Sequence, residues 1–256
     1  MKPPVAVVTG GGGDIGRAIA TALAADGYAV LAADIDAESA AATADSIGGA
    51  AFSCRCDVTD PVSVAAMAET AMARGAVSVL VNNAGGAGAP SLAATDVAAW
   101  RRDFALNVDG AFFCFKALAD ALMSSQGAVV NIASVNGLGV YGHPAYSAAK
   151  AALVHLTRLI AVEYGKHGVR ANALAPGSVM TQAWKARLAA NPDVVAEARR
   201  WYPLGRVAST DDIANAVRFL VSPAAGAITG VCLPVDAGLT AGQTELAATF
   251  SQSPDY

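Results

Sequence analysis

The chain has 256 residues, with 17 Lys and Arg against 21 Asp and Glu, a formal charge of −4. That balance, without a basic stripe, argues against a nucleic-acid partner. At 54% hydrophobic and 15% charged, the sequence is too apolar for a disordered chain and implies that both faces of a sheet are covered.

The β-branched run Val5–Val8 ends at a glycine cluster and predicts a buried strand entering a turn. From Ile15, apolar residues recur at three- and four-residue spacings up to Gly27, which predicts a helix with a glycine stop. Further strands are predicted at Tyr28–Ala33, Ala50–Cys56, Val77–Val81, Ala128–Ala133, Arg170–Ala175 and Val231–Val235. Helices are predicted near Val62–Ala73, Phe104–Met123, Tyr146–Tyr164 and Asp211–Val221. Strand followed by helix, repeated, predicts an α/β fold with a doubly wound parallel sheet and helices on both faces. At about 150 residues per domain the length allows one or two domains; no linker or repeat divides the chain, so one is expected. Two stretches break the rhythm. Residues 180–204, rich in Ala and Arg, read as a lid, and Gln243–Tyr256 reads as a surface or interface tail.

Cys54, Cys56, Cys114 and Cys232 lie in apolar segments with no Cys-x-x-Cys pair and no His at ligand spacing, so reduced thiols and no metal are expected. The Val5–Val8 run is too short for a signal peptide, and no apolar run reaches about 18 residues. A cytoplasmic protein without membrane contact is the expectation.

Thr9-Gly10-Gly11-Gly12-Gly13-Asp14-Ile15-Gly16 joins a predicted strand to a predicted helix. Glycines there let backbone N–H groups and the helix N-terminus approach an anion such as a pyrophosphate. Asp34 follows Gly16 by 18 residues at the end of the second strand, where a carboxylate can bind ribose hydroxyls and would repel a 2′-phosphate. Arg17 is the nearest base and none lies between Gly27 and Cys54, so NAD is expected over NADP. Tyr146 and Lys150, four apart, share one helix face, and a neighbouring cation, reinforced by an oxidised nicotinamide ring, is expected to lower the phenol's pKa toward usable acid/base chemistry. Ser134 ends the strand before that helix, at the sheet edge where a parallel α/β fold holds its ligand. Neither the glycine turn nor the Tyr–Lys pair is specific by itself.

Taken in order, the Thr9–Gly16 turn, Asp57-Val58, Asn82-Asn83-Ala84-Gly85, Asn107, Ser134, Tyr146-x-x-x-Lys150 and Pro176-Gly177 with Thr181 are specific. Over about Val5–Gly242 the sequence resembles the short-chain dehydrogenase/reductase family. The resemblance implies a seven-stranded Rossmann-type sheet and hydride transfer between a nicotinamide and a secondary alcohol or ketone. Tyr146 would be the acid/base, Ser134 would bind the substrate oxygen, and Lys150 the nicotinamide ribose. Asn107 would anchor a water leading from Lys150 to solvent. The cofactor would lie on Gly10, Gly13, Asp14, Ile15, Gly16 and Asp34, with Asp57 and Val58 flanking adenine and Asn83, Ala84 and Gly85 beside the adenosine. Pro176, Gly177, Val179 and Thr181 would hold its carboxamide and phosphate end. A homotetramer joined through the Phe104–Met123 and Tyr146–Tyr164 helices and the last strand is also implied.

The sequence departs from the family pattern at two places. Asp14 stands where a glycine is usual and is expected to cap the helix N-terminus. Val235-Asp236-Ala237-Gly238 replaces a more usual double glycine. Asn136, His143 and Trp184 are candidate substrate contacts, although Trp184 and Trp201 also read as packing residues. Two alternatives stand beside the alcohol dehydrogenase. One is a 3-oxoacyl thioester reductase, against which Asp34 and the acidic net charge argue; the other is an NAD-sensing protein without turnover.

Overall fold

The computed structural model describes residues 2–182, 184, 189, 191, 193, 200–253 and 255. The strands are β1 (Val5–Thr9), β2 (Ala29–Asp34), β3 (Ala51–Arg55), β4 (Val77–Asn82), β5 (Ala128–Ile132), β6 (Arg170–Pro176) and β7 (Cys232–Val235). They form one seven-stranded parallel sheet in the order β3-β2-β1-β4-β5-β6-β7. Each lies within two residues of its predicted bounds, because short β-branched runs bounded by Gly, Asp and Asn leave little freedom.

Strand alternation sends Val5 and Val7 to one side of the sheet and Ala6 and Val8 to the other. Val5 and Val7 join Met67 of α3 (Pro61–Arg74), Leu118 and Leu122 of α5 (Gly110–Ser125), and Ile160 of α6 (Pro144–Tyr164). Ala6 and Val8 join Ile19 and Leu23 of α1 (Asp14–Ala25) and Ile213, Val217 and Leu220 of the Thr210–Val221 helix. Both faces are therefore covered, which is why β1 is apolar along its whole length. Full burial of a leucine such as Leu118 contributes roughly 1.5–3 kcal/mol.

Two helices escape the periodicity. α2 (Ala37–Ile47) buries Ala40, Thr43 and Ala44, small residues that make no apolar stripe; its Asp36 cap accepts from the Glu38 and Ser39 amides. The other is α4 (Val97–Phe104), which ends where the predicted Phe104–Met123 helix begins; that predicted span is a π turn at Ala105–Asp109 followed by α5. The last helices are α7, the Thr210–Val221 helix with a Ser209–Asp212 capping box, and α8 (Thr244–Ser251). The predicted tail thus carries α8, which buries none of its residues. Of the predicted lid, residues 183, 185–188, 190, 192 and 194–199 lie outside those described.

The chain winds to opposite sides from β1, toward β2 and toward β4, and this reversal opens a crevice at the carboxyl edge of the sheet. After β7, Ala237 has φ +53°, a left-handed conformation in the position of the more usual double glycine. Asp236 holds that turn by accepting from the Gly238 and Thr240 amides at 2.9 and 2.8 Å. Ala237→Gly is expected to stabilise the protein by about 0.5–1 kcal/mol, read as a higher midpoint of urea unfolding.

Candidate active site

The turn between β1 and α1 needs its glycines for space. Gly10 has φ +62°, a Cβ on Gly12 would lie 2.6 Å from the Ser39 side chain, and one on Gly16 would overlap the Gly10 carbonyl oxygen. Gly13 is the N-cap of α1 and has no side chain to cap the helix, so the first-turn amides keep free access to an anion.

Asp14 is not that cap, contrary to the expectation from sequence. It is the first residue of α1, and its Oδ2 accepts instead from the backbone N–H of Gln182 at 2.6 Å. At the end of β2, Asp34 accepts from the Gly12 amide at 2.9 Å and the Asp36 amide at 3.1 Å. A carboxylate has about four lone-pair sites, so two such bonds leave room for a ribose diol. Arg17 donates to Thr43 Oγ1 and the Gly12 carbonyl, both at 3.3 Å.

Thr9 and Asn83 join the two strands at the reversal. The Asn83 and Ala84 amides donate to Thr9 Oγ1, both at 3.1 Å, and Asn83 Nδ2 donates to the Thr9 and Gly10 carbonyls, both at 3.0 Å. Asn83 therefore fixes the glycine turn as well as lining the crevice.

Tyr146 and Lys150 sit one turn apart near the start of α6, with Lys150 Nζ 5.5 Å from the Tyr146 ring centroid. Lys150 is buried and donates to the Ile132 carbonyl at 2.7 Å. Burial lowers its pKa to about 7. Burial also pushes the Tyr146 phenol up, and a hydrogen bond with Ser134 pulls it partly back. In the protein without cofactor the phenol therefore lies above its ordinary value, because loss of water outweighs the Ser134 hydrogen bond. Ser134 accepts from the Asn136 amide at 3.2 Å and donates to Asn136 Oδ1 at 3.3 Å. Asn136 Nδ2 is anchored on the Gly142 carbonyl and Ser147 Oγ at 2.9 and 3.1 Å.

Asn107 lies in the π turn, buried. Its Nδ2 donates to the Asp103 and Gly86 carbonyls at 2.8 and 2.9 Å, and its Oδ1 accepts from the Gly86 amide at 3.2 Å. A Cβ on Gly85 would lie 2.8 Å from Asn107 Oδ1 and 3.1 Å from Lys150 Nζ, so the bare glycine lets both groups face one space. A π turn re-aims one side chain inside a continuous helix, a use common at functional sites.

These residues line adjoining cavities. One of about 440 Å³ runs past Gly10, Gly13–Gly16, Asp34, Asp57, Val58 and Asn83–Gly85. It shares Ile15, Asn83, Gly85 and Thr181 with a second of about 340 Å³ that holds Ser134, Tyr146, Lys150, Pro176, Gly177 and Val179. A third, about 590 Å³, opens from Ser134 and Asn136 between His143, Trp184, Trp201 and Tyr202. Every candidate except Asn107 thus borders a cavity, and Asn107 holds the adjoining Gly86 loop. His143 has φ +50°, and its Nδ1 lies 3.2 Å from the Gly88 carbonyl.

Sequence reading missed Ile35, Cys56 and Leu106 in the first cavity, and Tyr202, Leu239 and Gln243 in the third. The exposed apolar Ile35, directly after a strand-end acid, was the readable signal for the first group; the others meet only through tertiary packing. Among the described residues, no group of three or more His, Cys, Asp or Glu could hold a metal, and no helix is long and apolar enough to cross a membrane.

A family model described as enoyl-(acyl carrier protein) reductase matches residues 12–240. The 2-(S)-hydroxypropyl-CoM dehydrogenase 3 of Xanthobacter autotrophicus is 42% identical over 250 residues, 94% of this chain and 98% of that protein. An oxidoreductase of the short chain dehydrogenase/reductase family from Burkholderia thailandensis superimposes with a TM-score of 0.93 at 42% identity, covering 100% of both chains. A 7α-hydroxysteroid dehydrogenase complexed with NADH and 7-oxo glycochenodeoxycholic acid superimposes with a TM-score of 0.86 at 34% identity, covering 93% of this chain and 94% of that one. The seven-stranded parallel sheet agrees with these matches, and the chain belongs to the short-chain dehydrogenase/reductase family of oxidoreductases.

Proposed function

We propose that the protein is an NAD-dependent dehydrogenase that interconverts a secondary alcohol and its ketone. The observation that carries this reading is the meeting of Ser134, Tyr146 and Lys150 in the second cavity, which adjoins the third at Ser134 and the first at Ile15 and Thr181. In oxidation, the phenolate of Tyr146 takes the hydroxyl proton of the alcohol, and in reduction the phenol returns it to the carbonyl oxygen. Ser134, held by Asn136, fixes that oxygen by a hydrogen bond. Bound NAD supplies the hydride acceptor. The residues fit it: the glycine turn would give the pyrophosphate backbone N–H groups, Asp34 would keep lone pairs for the adenosine ribose, and Lys150 and Thr181 would hold the nicotinamide end. Asn107 would order a water near Lys150, on the side opened by Gly85. Substrate would occupy the third cavity, against Asn136, His143 and Trp184.

Absorbance of reduced nicotinamide, followed across a panel of secondary alcohols including 2-hydroxyalkyl thioethers, polyols and hydroxysteroids, tests the reading. Binding of NAD without any turnover would favour the sensor alternative. The second reading is the 3-oxoacyl thioester reductase, tested with 3-oxoacyl thioesters and NADPH; the family model's description names a reductase of a related carrier-bound thioester, tested with a 2-enoyl thioester. The Asp34 carboxylate argues against it, and kcat/KM is expected to favour NAD over NADP by about 100-fold or more, since a 2′-phosphate would meet an uncompensated negative charge. Equal constants for the two cofactors would refute that assignment.

The same reading makes the protein a cytoplasmic homotetramer. Four free thiols suit a reducing compartment. The half- to fully exposed Phe112 of α5 and Leu159 and Val162 of α6 give an apolar face for a second copy.

A further inference from the structure

Asp14 is the residue that fits neither the family pattern nor a capping role, and its partner lies 168 residues away. Around that partner the backbone is fixed link by link. Met180 N–H donates to the Ala208 carbonyl at 2.8 Å and Ala208 N–H to the Ser178 carbonyl at 3.0 Å, which holds residues 178–180 along one edge. The next residues turn away: Thr181 N–H donates to the Val179 carbonyl at 2.8 Å, and Thr181 Oγ1 accepts from Trp184 N–H at 3.4 Å. Between these two anchors, Gln182 N–H meets the Asp14 carboxylate at 2.6 Å. Thr181 borders both inner cavities, and Trp184 borders both the Tyr146 cavity and the outer one. One bond thus joins the anion-binding end of α1 to the backbone that carries a wall of the substrate space.

We propose that Asp14 is a positioning residue: through Gln182 it sets where Thr181 and Trp184 stand relative to the glycine turn, so that cofactor seat and substrate wall keep one spacing. A glycine at position 14 has no side chain with which to make this bond. The kinetic consequence rests on the dehydrogenase reading; the structural one does not.

Two variants separate the bond from the charge. Asp14→Asn removes the negative charge but retains an acceptor oxygen, and Asp14→Ala removes both, while either loses the favourable charge at the N-terminus of α1. In the full-length protein, residue-resolved amide exchange at Gln182 is expected to be about tenfold faster in Asp14→Ala than in Asp14→Asn. At saturating NAD, the KM for whichever panel alcohol is oxidised fastest is expected to rise several-fold in Asp14→Ala, and less in Asp14→Asn. Unchanged exchange in Asp14→Ala overturns the proposal. So does equal acceleration in both variants with tighter NAD binding in both, which would leave Asp14 as a source of repulsion alone. If no alcohol is oxidised, the dehydrogenase reading fails and the exchange comparison still decides the role of Asp14.

Discussion

Replacing Tyr146 with Phe is expected to lower kcat for alcohol oxidation by roughly 10³-fold or more, while NAD affinity changes by no more than about twofold. Phe keeps the ring on the α6 face and its position 5.5 Å from Lys150 Nζ, so packing and the cofactor cavity are preserved. What goes is the single oxygen that meets Ser134 and can carry the substrate proton. A 10³-fold loss corresponds to about 4 kcal/mol of transition-state stabilisation, more than one neutral hydrogen bond supplies, so the measurement discriminates proton transfer from substrate anchoring. Ser134→Ala supplies the contrast. It removes a hydrogen bond to the substrate oxygen and leaves the proton carrier, so a smaller drop is expected, and Asn136 loses its hydroxyl partner. A Tyr146→Phe enzyme that oxidises alcohols within tenfold of the parent would place the acid/base elsewhere.

Much of this site is readable locally. Strand-end residues such as Asp34 and Ser134 fall at the carboxyl edge of any parallel sheet, and an i, i+4 pair on a helix must share a face, so Tyr146 and Lys150 come together once α6 forms. The missing parts are nonlocal. The π turn around Asn107 adds a residue inside a helix whose apolar pattern continues through it, so periodicity predicts one uninterrupted helix. α2 hides for the opposite reason, since alanines bury without marking a stripe. The Asp14–Gln182 bond and the direction of the Tyr146 shift depend on what tertiary packing brings near and on how much water it excludes. Spacing gives the neighbours of a charge along a helix, whereas its solvation is a property of the folded interior.

Lys150 is expected to write that solvation into the pH dependence of stability. Its pKa falls from the ordinary 10.5 to about 7 in the folded protein because the ammonium is removed from water. Between those values the unfolded chain binds the proton and the folded chain does not, so stability rises with pH across the window. The slope from this one group is up to about 1.4 kcal/mol per pH unit. Below about pH 7 both states hold the proton and the full burial penalty weighs on the fold; above about pH 10.5 neither holds it and the penalty is gone. Lys150→Met removes the titration and keeps the volume. It also leaves the Ile132 carbonyl without its donor, a cost of about 1–3 kcal/mol that does not change with pH. Urea unfolding at half-unit pH steps from 6 to 10 is therefore expected to give a parent-minus-variant difference that is flat near pH 6 and climbs above about pH 7. Parallel curves would mean that Lys150 keeps an ordinary pKa. The variant is also expected to lose most of its turnover, since no apolar side chain can hold the nicotinamide ribose or a water beside Gly85. A cation that weakens the fold at neutral pH while serving the site is the pattern of a group retained for chemistry, and the two measurements on one variant separate these opposing effects.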